Sequence, residues 1–597
     1  MNNYRNFTLA AYFVAHAAAR IREEELEKQL SFMERYLRLD KIYLEPFRGE
    51  AASKEQIEMC RRVFRQHGIE VAGGLTTVIP TKEGEKEKQR LFDTFCYNDP
   101  GMRSRLREVC TFIGENFDEF IIDDFFFTNC TCEDCVREKN VFNRANGIND
   151  GSWKAYRLDL CRRVSEEDII GPAKKVNPRC KITIKYPNWA ESYQETGYNP
   201  AEQRKLFDRI YTGTETRDPV TTDQHLPRYL SFSLMTYFEN MWPGHNGGGW
   251  FDTFDTHITE HYLEQAYLTA FSKPEELMLF CFQSLYDNMY TAALGYQLDK
   301  LDELLDHAGR PTGIVCYLPD NSQGEDNIQD FLGMNGLPVV CSPYFPEKAE
   351  AVLLTRAAAL DEDILEKLEA FLSRGGNALV TTGFHDAMKD RGIYALSSVR
   401  VSRRIMSANR FRVEKKAPAG EVFCSYPYSA KSIQVPVAEF RNNSTWAVVK
   451  AVHDEESCGL LLKDTYKDGC MWTLAVPDAY PDLYQLPEEA LSRIRQALPV
   501  NGIWMEGPAR ISLFVYDNDS FILYPYVMDG VQLQIVRVHI RDAKALELLS
   551  VSYTFGWERK DGGRIEPLYC IDGEAVFALP AIPGKYELYH ICRYSRR

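Results

Sequence analysis

The sequence lacks the basic clusters that bind nucleic acid. Its 597 residues include 70 Lys and Arg against 86 Asp and Glu, a formal net charge of -16, and no run of five or six basic residues occurs. Affinity for a phosphate backbone depends on clustered Lys and Arg. We therefore expect no nucleic-acid partner and favour an uncharged ligand.

Long apolar runs are also missing. A membrane-spanning helix needs about 18 or more consecutive apolar residues, and no segment reaches that length. The N-terminal FTLAAYFVAHAAAR carries His16 and follows a single Arg, so it is more typical of a buried first strand than of an export signal. We expect no membrane association.

Cysteine is sparse for a chain of this size. Sixteen cysteines in 597 residues are too few for a disulfide scaffold, and without an export signal the expected location is the reducing cytoplasm. In that compartment, a tight group of cysteines indicates metal binding or redox chemistry.

Several catalytic motifs are absent. The sequence contains no H-E-x-x-H, no His-rich cluster and no G-x-x-x-x-G-K-[ST], which argues against a zinc hydrolase and against a phosphate-cradling loop. No organic cofactor is expected. Cys341 lies within an apolar strand rather than on a nucleophile turn, so amidotransfer is not favoured either.

What the first half does contain is a repeated alternation of short apolar runs and amphipathic helical stretches, which is typical of βα units around a parallel sheet. Eight such runs within about 300 residues predict a (β/α)8 TIM barrel over residues 1–308. The stretch LPRYLSFSLMTYFENMW is assigned as a helix, which keeps the count at eight. The runs are FTLAAYFVA, DKIYLEPF, IEVAGGLTTVI, FDEFIIDDFFF, CKITIKYPNW, DRIYTGTET, GGGWFDTFD and EELMLFCFQS.

The second half changes character. Residues 309–400 mix short β-rich runs with the helical DEDILEKLEAFLSRGG, which predicts a small α/β domain. From residue 401 to 597 helical patterns nearly vanish, and alternating segments such as SFILYPYVM predict one or two β-sandwich modules. The predicted fold class is thus α/β, with a barrel, an α/β domain and a β-rich C-terminal region.

A cysteine motif follows the fourth predicted strand. Cys130, Cys132 and Cys135 form C-x-C-x-x-C, and Cys96 follows the third strand, whose end neighbours the fourth in a barrel. A closed structural zinc site needs four ligands. The four cysteines therefore predict a structural zinc ion, and free surface thiols are the alternative.

This domain order resembles that of the β-galactosidases of glycoside hydrolase family 42, and the Cys loop resembles theirs as well. The amidotransferase-like middle domain of that family is similar to the segment VLLTRAAALDEDILEKLEAFLSRGGNALVTTG. The resemblance implies a zinc-binding Cys loop, a middle domain that supports trimer formation, and cleavage of glycosidic bonds. The family has an Asn-Glu pair at the end of strand four and a Glu on strand seven. Here the matching regions hold Asp123 with Asp124, and Asp252 with Asp255.

Glycoside hydrolysis commonly needs two carboxyl groups across the scissile bond. We expect Asp124 and Glu215 to be this pair, because Glu215 lies in the polar strand end YTGTETRDP, with Asp123 and Asp252 as further catalytic candidates. Side chains of adjacent strand residues point to opposite sides, so one of Asp123 and Asp124 is expected to face the substrate. Pairing an Asp on strand four with an acid on strand six also resembles α-galactosidase-like enzymes, which leaves the anomeric preference open.

Sugar clefts combine aromatic platforms with polar side chains. Such residues occur at most of the predicted strand ends, and each has core packing or surface capping as its alternative role. The predicted substrate-binding residues are His16, Glu45, Lys185, Asn188, Trp189, Arg217, Trp250, Asp255 and Gln283.

These observations predict a cytoplasmic glycoside hydrolase that acts on small oligosaccharides or glycosides and forms a homo-oligomer, either a trimer or a dimer. A glycoside phosphorylase or transglycosylase on the same fold is one alternative. A non-catalytic carbohydrate-binding protein is another.

Overall fold

The computed structural model describes residues 3–79, 90–286, 289–416, 421–527, 533–549, 553–554, 557–558 and 563–594. Contacts between Cα atoms divide the chain into two units, residues 1–225 with 242–302, and residues 226–241 with 303–597. Among the described residues, no helix combines the length and the apolar character that a bilayer crossing requires.

Ten strands of the described residues lie in the first unit. They are β1 Thr8–Phe13, β2 Lys41–Leu44, β3 Phe47–Arg48, β4 Glu50–Ala51, β5 Glu70–Leu75, β6 Glu119–Ile122, β7 Lys181–Tyr186, β8 Arg209–Gly213, β9 Asn246–Asp252 and β10 Glu276–Phe280. Eight of them close into a parallel barrel in the order β1-β10-β9-β8-β7-β6-β5-β2, and β3 and β4 form a small hairpin.

Each of the eight predicted apolar runs overlaps one barrel strand, so the predicted TIM barrel is confirmed. Several of these strands are buried along their whole length, as in β2 and β9, which is why they appear as continuous apolar runs rather than alternating ones. The glycines of β9 allow close packing: a Cβ on Gly248 would lie 2.2 Å from the carbonyl oxygen of Glu276.

Helices connect the barrel strands. In α3, for example, which spans Lys54–Gln66, the buried residues Ile57, Cys60, Val63 and Phe64 recur every three or four positions, and Ser53 caps the N-terminus by accepting the Gln56 N–H. The helices up to α13 are α1 Ala15–Arg20, α2 Glu23–Met33, α3 Lys54–Gln66, α4 Pro100–Asn116, α5 Glu133–Ala145, α6 Lys154–Val164, α7 Gly171–Val176, α8 Tyr193–Thr196, α9 Pro200–Gln203, α10 Leu230–Met241, α11 Thr259–Ala270, α12 Phe282–Tyr286 and α13 Tyr290–Leu305.

The segment LPRYLSFSLMTYFENMW forms helix α10, as expected, but α10 belongs to the second unit. There it packs against the edge strand of the α/β sheet, β13 Val339–Ser342. The Tyr229 hydroxyl donates to the carbonyl oxygen of Val339 at 2.8 Å, and the Cys341 N–H donates to the Thr236 hydroxyl at 3.0 Å.

In the described part of the second unit, ten strands form a mixed sheet. Its strands are β12 Ile314–Tyr317, β13 Val339–Ser342, β14 Ala351–Leu354, β15 Asn377–Thr381, β16 Val399–Lys416, β17 Val422–Ser425, β18 Tyr428–Phe440, β19 Thr445–His453, β20 Glu456–Tyr466 and β21 Gly469–Leu474; the helices are α14 Ile328–Met334, α15 Ile364–Ser373 and α16 Thr382–Met388. The strand order is β13-β12-β14-β15-β21-β20-β19-β16-β17, with β18 paired to β16.

The expected division at residue 400 falls inside this sheet. Strand β21 pairs in parallel with β15, and β20, β19 and β16 follow it in antiparallel order. The long antiparallel strands that indicated a separate β-rich region therefore extend the α/β sheet as far as Leu474. A change in local pattern marks a change in strand direction here, not a new sheet.

Two further sheets form the C-terminal β-rich region as far as its residues are described. Their elements, with one helix and a small hairpin of two strands, are β11 Pro311–Thr312, α17 Glu488–Ala497, β22 Ile503–Glu506, β23 Ile511–Tyr516, β24 Ser520–Pro525, β25 Gln534–Arg541, β26 Ala543–Leu548, β27 Tyr553–Thr554, β28 Trp557–Glu558, β29 Arg564–Ile565, β30 Tyr569–Ile571, β31 Glu574–Ala581 and β32 Glu587–Arg593. A six-stranded sheet has the order β11-β23-β24-β32-β26-β29, a four-stranded sheet has the order β22-β25-β31-β30, and β27 and β28 form the hairpin.

Candidate active site

A cavity of about 320 Å³ lies at the carboxyl ends of the barrel strands, the face where barrels of this fold place their sites. It lies within the first unit, and four acidic, three basic and several aromatic side chains line it. The lining residues are Arg48, Phe92, Asp123, Asp124, Phe125, Phe127, Lys185, Asn188, Trp189, Glu215, Arg217, Gln224, Trp250, Asp252, Phe254 and Phe280.

Lys185 joins the two predicted catalytic acids. It lies near the end of β7, and its Nζ is 2.7 Å from Asp124 Oδ2 and 2.6 Å from Glu215 Oε1. The same atom lies 4.2 Å from the centre of the Trp250 ring, a cation–π contact. Asp124 and Glu215, 91 positions apart by their numbering, thus meet at one ammonium group.

Asp123 and Asp124 both line the cavity, although only one of them was expected to do so. The backbone leaves the strand at Ile122, and Asp123 Oδ1 accepts the Asp124 N–H at 2.8 Å, so the alternation of a regular strand no longer applies. Asp123 is almost fully buried and receives Arg48 Nη2 at 2.6 Å, whereas the Asp124 side chain is 19% exposed.

Further ion pairs surround this group. Arg217 donates to both oxygen atoms of Asp252, at 3.0 and 2.8 Å. Arg48 bridges Asp123 and Glu45, with its Nε 2.9 Å from Glu45 Oε2. Because both guanidinium groups already contact carboxylates, neither is available as the counter-ion of an anionic substrate.

Acids outnumber bases in this cluster. Glu45, Asp123, Asp124, Glu215 and Asp252 face Arg48, Lys185 and Arg217. Five carboxylates and three cations would leave a buried excess of negative charge, which proton uptake relieves.

The pKa values of the acids follow from this imbalance. Burial, together with the neighbouring Asp123 and Glu215 carboxylates, raises the pKa of Asp124 to about 8, against the opposing effect of Lys185. Burial also raises the pKa of Asp252 although Arg217 opposes it. The pKa of Asp123 is lowered, because Arg48 and Lys185 outweigh its burial.

The two carboxylate oxygen atoms of Glu215 differ in their contacts. Its Oε1 contacts Lys185, while its Oε2 is buried and has no hydrogen-bond partner among the described residues. The Asn188 side chain holds the Glu215 backbone by donating to its carbonyl oxygen at 2.6 Å. A buried carboxylate oxygen without a partner is costly. This atom packs against the backbone of Gly213, where a Cβ would lie 2.7 Å from it.

Trp189 and Trp250 contribute aromatic surface. Trp250 is 2% exposed and stacks on Phe280, with ring centres 5.1 Å apart. Trp189 is partly exposed and packs edge-on against Phe127 at 5.4 Å. Both line the cavity, as the sequence predicted.

Four predicted binding residues are not among the described residues that line the cavity. His16 is exposed in α1, because β1 ends at Phe13 and the helix starts at Ala15. Asp255 is exposed in a turn with a φ of 46°. Gln283 lies in the short helix α12. Glu45 is fully buried behind the cavity, where its oxygen atoms bind Tyr12, Ala15 N–H and Arg48.

Arg48 and all five phenylalanines that line the cavity were absent from the predicted site residues. Arg48 follows the second barrel strand in EPFRGE, beside the chosen Glu45, so its position at a strand end could have indicated it. The run FFF directly after Asp124 was assigned to the strand, although two of its rings line the cavity. The remaining missed lining residues are Phe92, Gln224, Phe254 and Phe280.

The four cysteines of the predicted metal site come together. Their sulfur atoms all lie within 4.8 Å of one another, with Cys96 Sγ 3.5 Å from that of Cys135 and 3.9 Å from that of Cys132. Tetrahedral coordination with metal–sulfur bonds of about 2.3 Å places the sulfurs about 3.8 Å apart. The group therefore fits a metal ion.

An acidic cluster with aromatic walls at the carboxyl ends of a (β/α)8 barrel is an arrangement found in glycoside hydrolases. The protein is thus a barrel protein of the glycoside hydrolase type.

The model described as "Probable glycosyl hydrolase, catalytic domain" matches residues 1–301, which is half of the chain, and the protein belongs to this family. Residues 309–479 match the second domain of the uncharacterized protein SSO3021, and residues 502–566 match "Probable glycosyl hydrolase, C-terminal domain". The full-length SSO3021 of Saccharolobus solfataricus is 26% identical over 517 residues, which cover 80% of this chain and 83% of that protein.

Solved structures share the fold. The α-L-fucosidase isoenzyme 2 of Paenibacillus thiaminolyticus superposes with a TM-score of 0.62 at 12% identity and covers all of both chains. A β-galactosidase of Bacillus circulans sp. alkalophilus has a TM-score of 0.59 at 11% identity, covering 97% of this chain and 99% of its own. A catalytic mutant of the family 42 β-galactosidase Gan42B of G. stearothermophilus has a TM-score of 0.60 at 11% identity, covering 97% of this chain and 99% of its own. The expected resemblance to family 42 is confirmed at the level of the fold.

Replacing Lys185 tests the electrostatic account of the cluster. We expect Lys185→Met to lower the melting temperature at pH 8, because removing one partner of a buried ion pair costs about 3–5 kcal/mol. This loss of melting temperature should shrink towards pH 5, where the raised pKa values let the remaining carboxylates take up protons. Thermal unfolding of the wild type and the variant at several pH values measures the difference.

Lys181→Met is the matched control, because Lys181 is exposed at the start of the same strand. It should change stability by no more than about 0.5 kcal/mol. Equal effects of the two substitutions, or a Lys185→Met deficit that does not depend on pH, would contradict the account.

Proposed function

We propose that the protein is a glycoside hydrolase in which Asp124 is the general acid and Glu215 is the nucleophile. The observation that carries this proposal is the contact of both carboxyl groups with the Lys185 ammonium group at the base of the 320 Å³ cavity. The substrates are small oligosaccharides or glycosides with an uncharged sugar, because Arg48 and Arg217 are already paired with carboxylates.

The two acids differ in the way the reaction requires. With a pKa of about 8, Asp124 holds a proton at neutral pH and can deliver it to the leaving-group oxygen. Glu215 contacts the Lys185 cation through Oε1 and lines the cavity, and its carboxylate can attack the anomeric carbon. After the leaving group departs, Asp124 as carboxylate can take a proton from the attacking water.

The geometry supports retention of configuration. Asp124 Oδ2 and Glu215 Oε1 bind the same Nζ, so these two oxygen atoms are no farther apart than the sum of 2.7 and 2.6 Å. Retaining glycosidases hold their two carboxyl groups about 5–5.5 Å apart, whereas inverting enzymes need about 6.5–9.5 Å to admit a water molecule.

Substitution of each acid separates their roles. Asp124→Asn should lower kcat/KM by about 1,000-fold or more for a glycoside with a poor leaving group such as methanol, but much less for a 2,4-dinitrophenyl glycoside, which needs no proton. Glu215→Gln should abolish turnover of both. Steady-state kinetics over a panel of α- and β-glycosides measures this.

The pH dependence gives a second readout. Because the general acid must be protonated, kcat/KM of the unaltered enzyme should fall above about pH 8, and Asp124→Asn should remove this limb. Glu215→Gln activity within a few-fold of wild type would contradict the mechanism, and binding without turnover over the whole panel would favour a non-catalytic carbohydrate-binding protein. A rate that depends on inorganic phosphate would favour a phosphorylase.

The four cysteines hold a structural zinc ion in this proposal. Four thiolates complete a tetrahedron and leave no open position for catalysis. The ion would fasten the segment after Asp124 and Phe127, since Cys130 follows them within a few residues and the Asn98 side chain donates to Cys135 Sγ at 3.1 Å.

Metal analysis of the purified protein should find about one zinc ion per chain. Cys132→Ser should lose the metal and lower the melting temperature, because it removes one of the four ligands. Cys570→Ser is the matched control, since Cys570 is also exposed but lies outside the cluster. Well-folded wild-type protein without zinc would contradict the assignment.

The protein acts as a cytoplasmic homo-oligomer, a trimer or a dimer, on imported substrates. No two cysteines among the described residues form a disulfide bond, which supports a reducing compartment. The molar mass in solution, measured by light scattering, tests the proposed oligomeric state.

A further inference from the structure

The mouth of the cavity carries exposed phenylalanine rings. Phe92 is 65% exposed and Phe254 is 52% exposed, whereas Trp250 at the base is 2% exposed. Large apolar side chains grouped at the rim of a polar cavity mark a surface that binds another molecule. The rings therefore offer apolar surface to a ligand that is at least partly apolar.

Phe92 is held in place by its backbone. Its φ of 53° lies in the left-handed region that side chains other than glycine rarely adopt, and such strain is concentrated at ligand-binding positions. Hydrogen bonds hold the residues around it: the Leu91 N–H donates to Asn129 Oδ1 at 2.9 Å, and the Thr94 hydroxyl donates to the Leu91 carbonyl at 3.1 Å.

The Phe92 ring lies against Phe125. Their centres are 5.8 Å apart and their planes are inclined by 79°, an edge-to-face contact. Phe125 is held in turn, because its carbonyl oxygen accepts the Thr77 hydroxyl at 2.7 Å and the Arg48 guanidinium lies 5.7 Å from its ring. Together the two rings form one apolar wall.

This wall adjoins the proposed general acid. Phe125 follows Asp124 directly in the chain, and both line the cavity. A general acid protonates the oxygen that joins the sugar to its leaving group, so the leaving group lies on the side of Asp124. The Phe92–Phe125 wall is therefore on the aglycone side of the scissile bond.

We propose that Phe92 and Phe125 form an aglycone subsite that takes a flat, apolar group such as an aromatic ring. The assignment rests on the proposed role of Asp124 and narrows the substrates to glycosides with an apolar aglycone. Unlike a second sugar, such a ring needs no hydrogen bond, and the wall supplies none because Arg48 beside it already binds Glu45 and Asp123.

Affinity for non-hydrolysable ligands tests the subsite without requiring turnover. The probes are phenyl and methyl 1-thio-β-D-galactopyranoside, and the phenyl and methyl 1-thio-α-L-fucopyranosides, titrated calorimetrically into the full-length protein. In at least one pair we expect the phenyl ligand to bind about 10-fold more tightly than the methyl ligand, a gain consistent with burying one aromatic ring.

Phe92→Ala should reduce the affinity ratio between the phenyl and the methyl ligand to about 2-fold or less. The affinity for the methyl ligand should stay unchanged. Leu91→Ala is the matched control: Leu91 is a 48% exposed apolar residue in the same turn but does not line the cavity. It should keep the wild-type ratio.

Equal affinities within both pairs, no measurable binding of any of the four probes, or a wild-type ratio in Phe92→Ala would overturn the subsite. A retained ratio in a protein that hydrolyses no glycoside would overturn the proposed hydrolase activity and leave the subsite standing. Hydrolysis that persists although the phenyl and methyl ligands bind equally well would overturn the subsite and leave the proposed hydrolase activity standing.

Discussion

The ammonium group of Lys185 is the constraint on which the site depends. It lies over the face of Trp250 and within 2.7 Å of one oxygen atom from each of Asp124 and Glu215. Without a cation between them, two buried carboxyl groups this close would repel each other and separate or bind a shared proton. Lys185 lets them remain together while their environments differ.

The surrounding ion pairs balance the charge of the other acids in the site. Arg48 and Arg217 neutralise Asp123 and Asp252, which leaves Asp124 as a partly exposed acid with a pKa of about 8. The site thereby provides a proton donor at neutral pH beside the second carboxyl group, that of Glu215. Because its arginines are already paired, the cavity presents carboxyl groups and aromatic surface to a ligand, a combination that suits an uncharged sugar.

Parts of the fold could be predicted because their signals are local. Each barrel strand is a short apolar run between amphipathic helices, so the eight strands and the residues at their carboxyl ends are visible one segment at a time. The division at residue 400 is not local. Strand pairing joins β21 to β15 across 87 intervening residues of the chain, from Thr381 to Gly469, and no periodicity encodes such a partner.

The sequence by itself determined the barrel, the four clustered cysteines and the list of acids at strand ends, since each depends on residue types at short spacing. Only the tertiary structure decided which acids share a cation, that Arg48 rather than His16 or Gln283 reaches the cavity, and that Phe92 lies beside Phe125. These outcomes depend on how strand ends from distant parts of the chain turn into loops. Closure of the barrel brings them together, and the electrostatics of the resulting cluster depends on distances that no single segment contains.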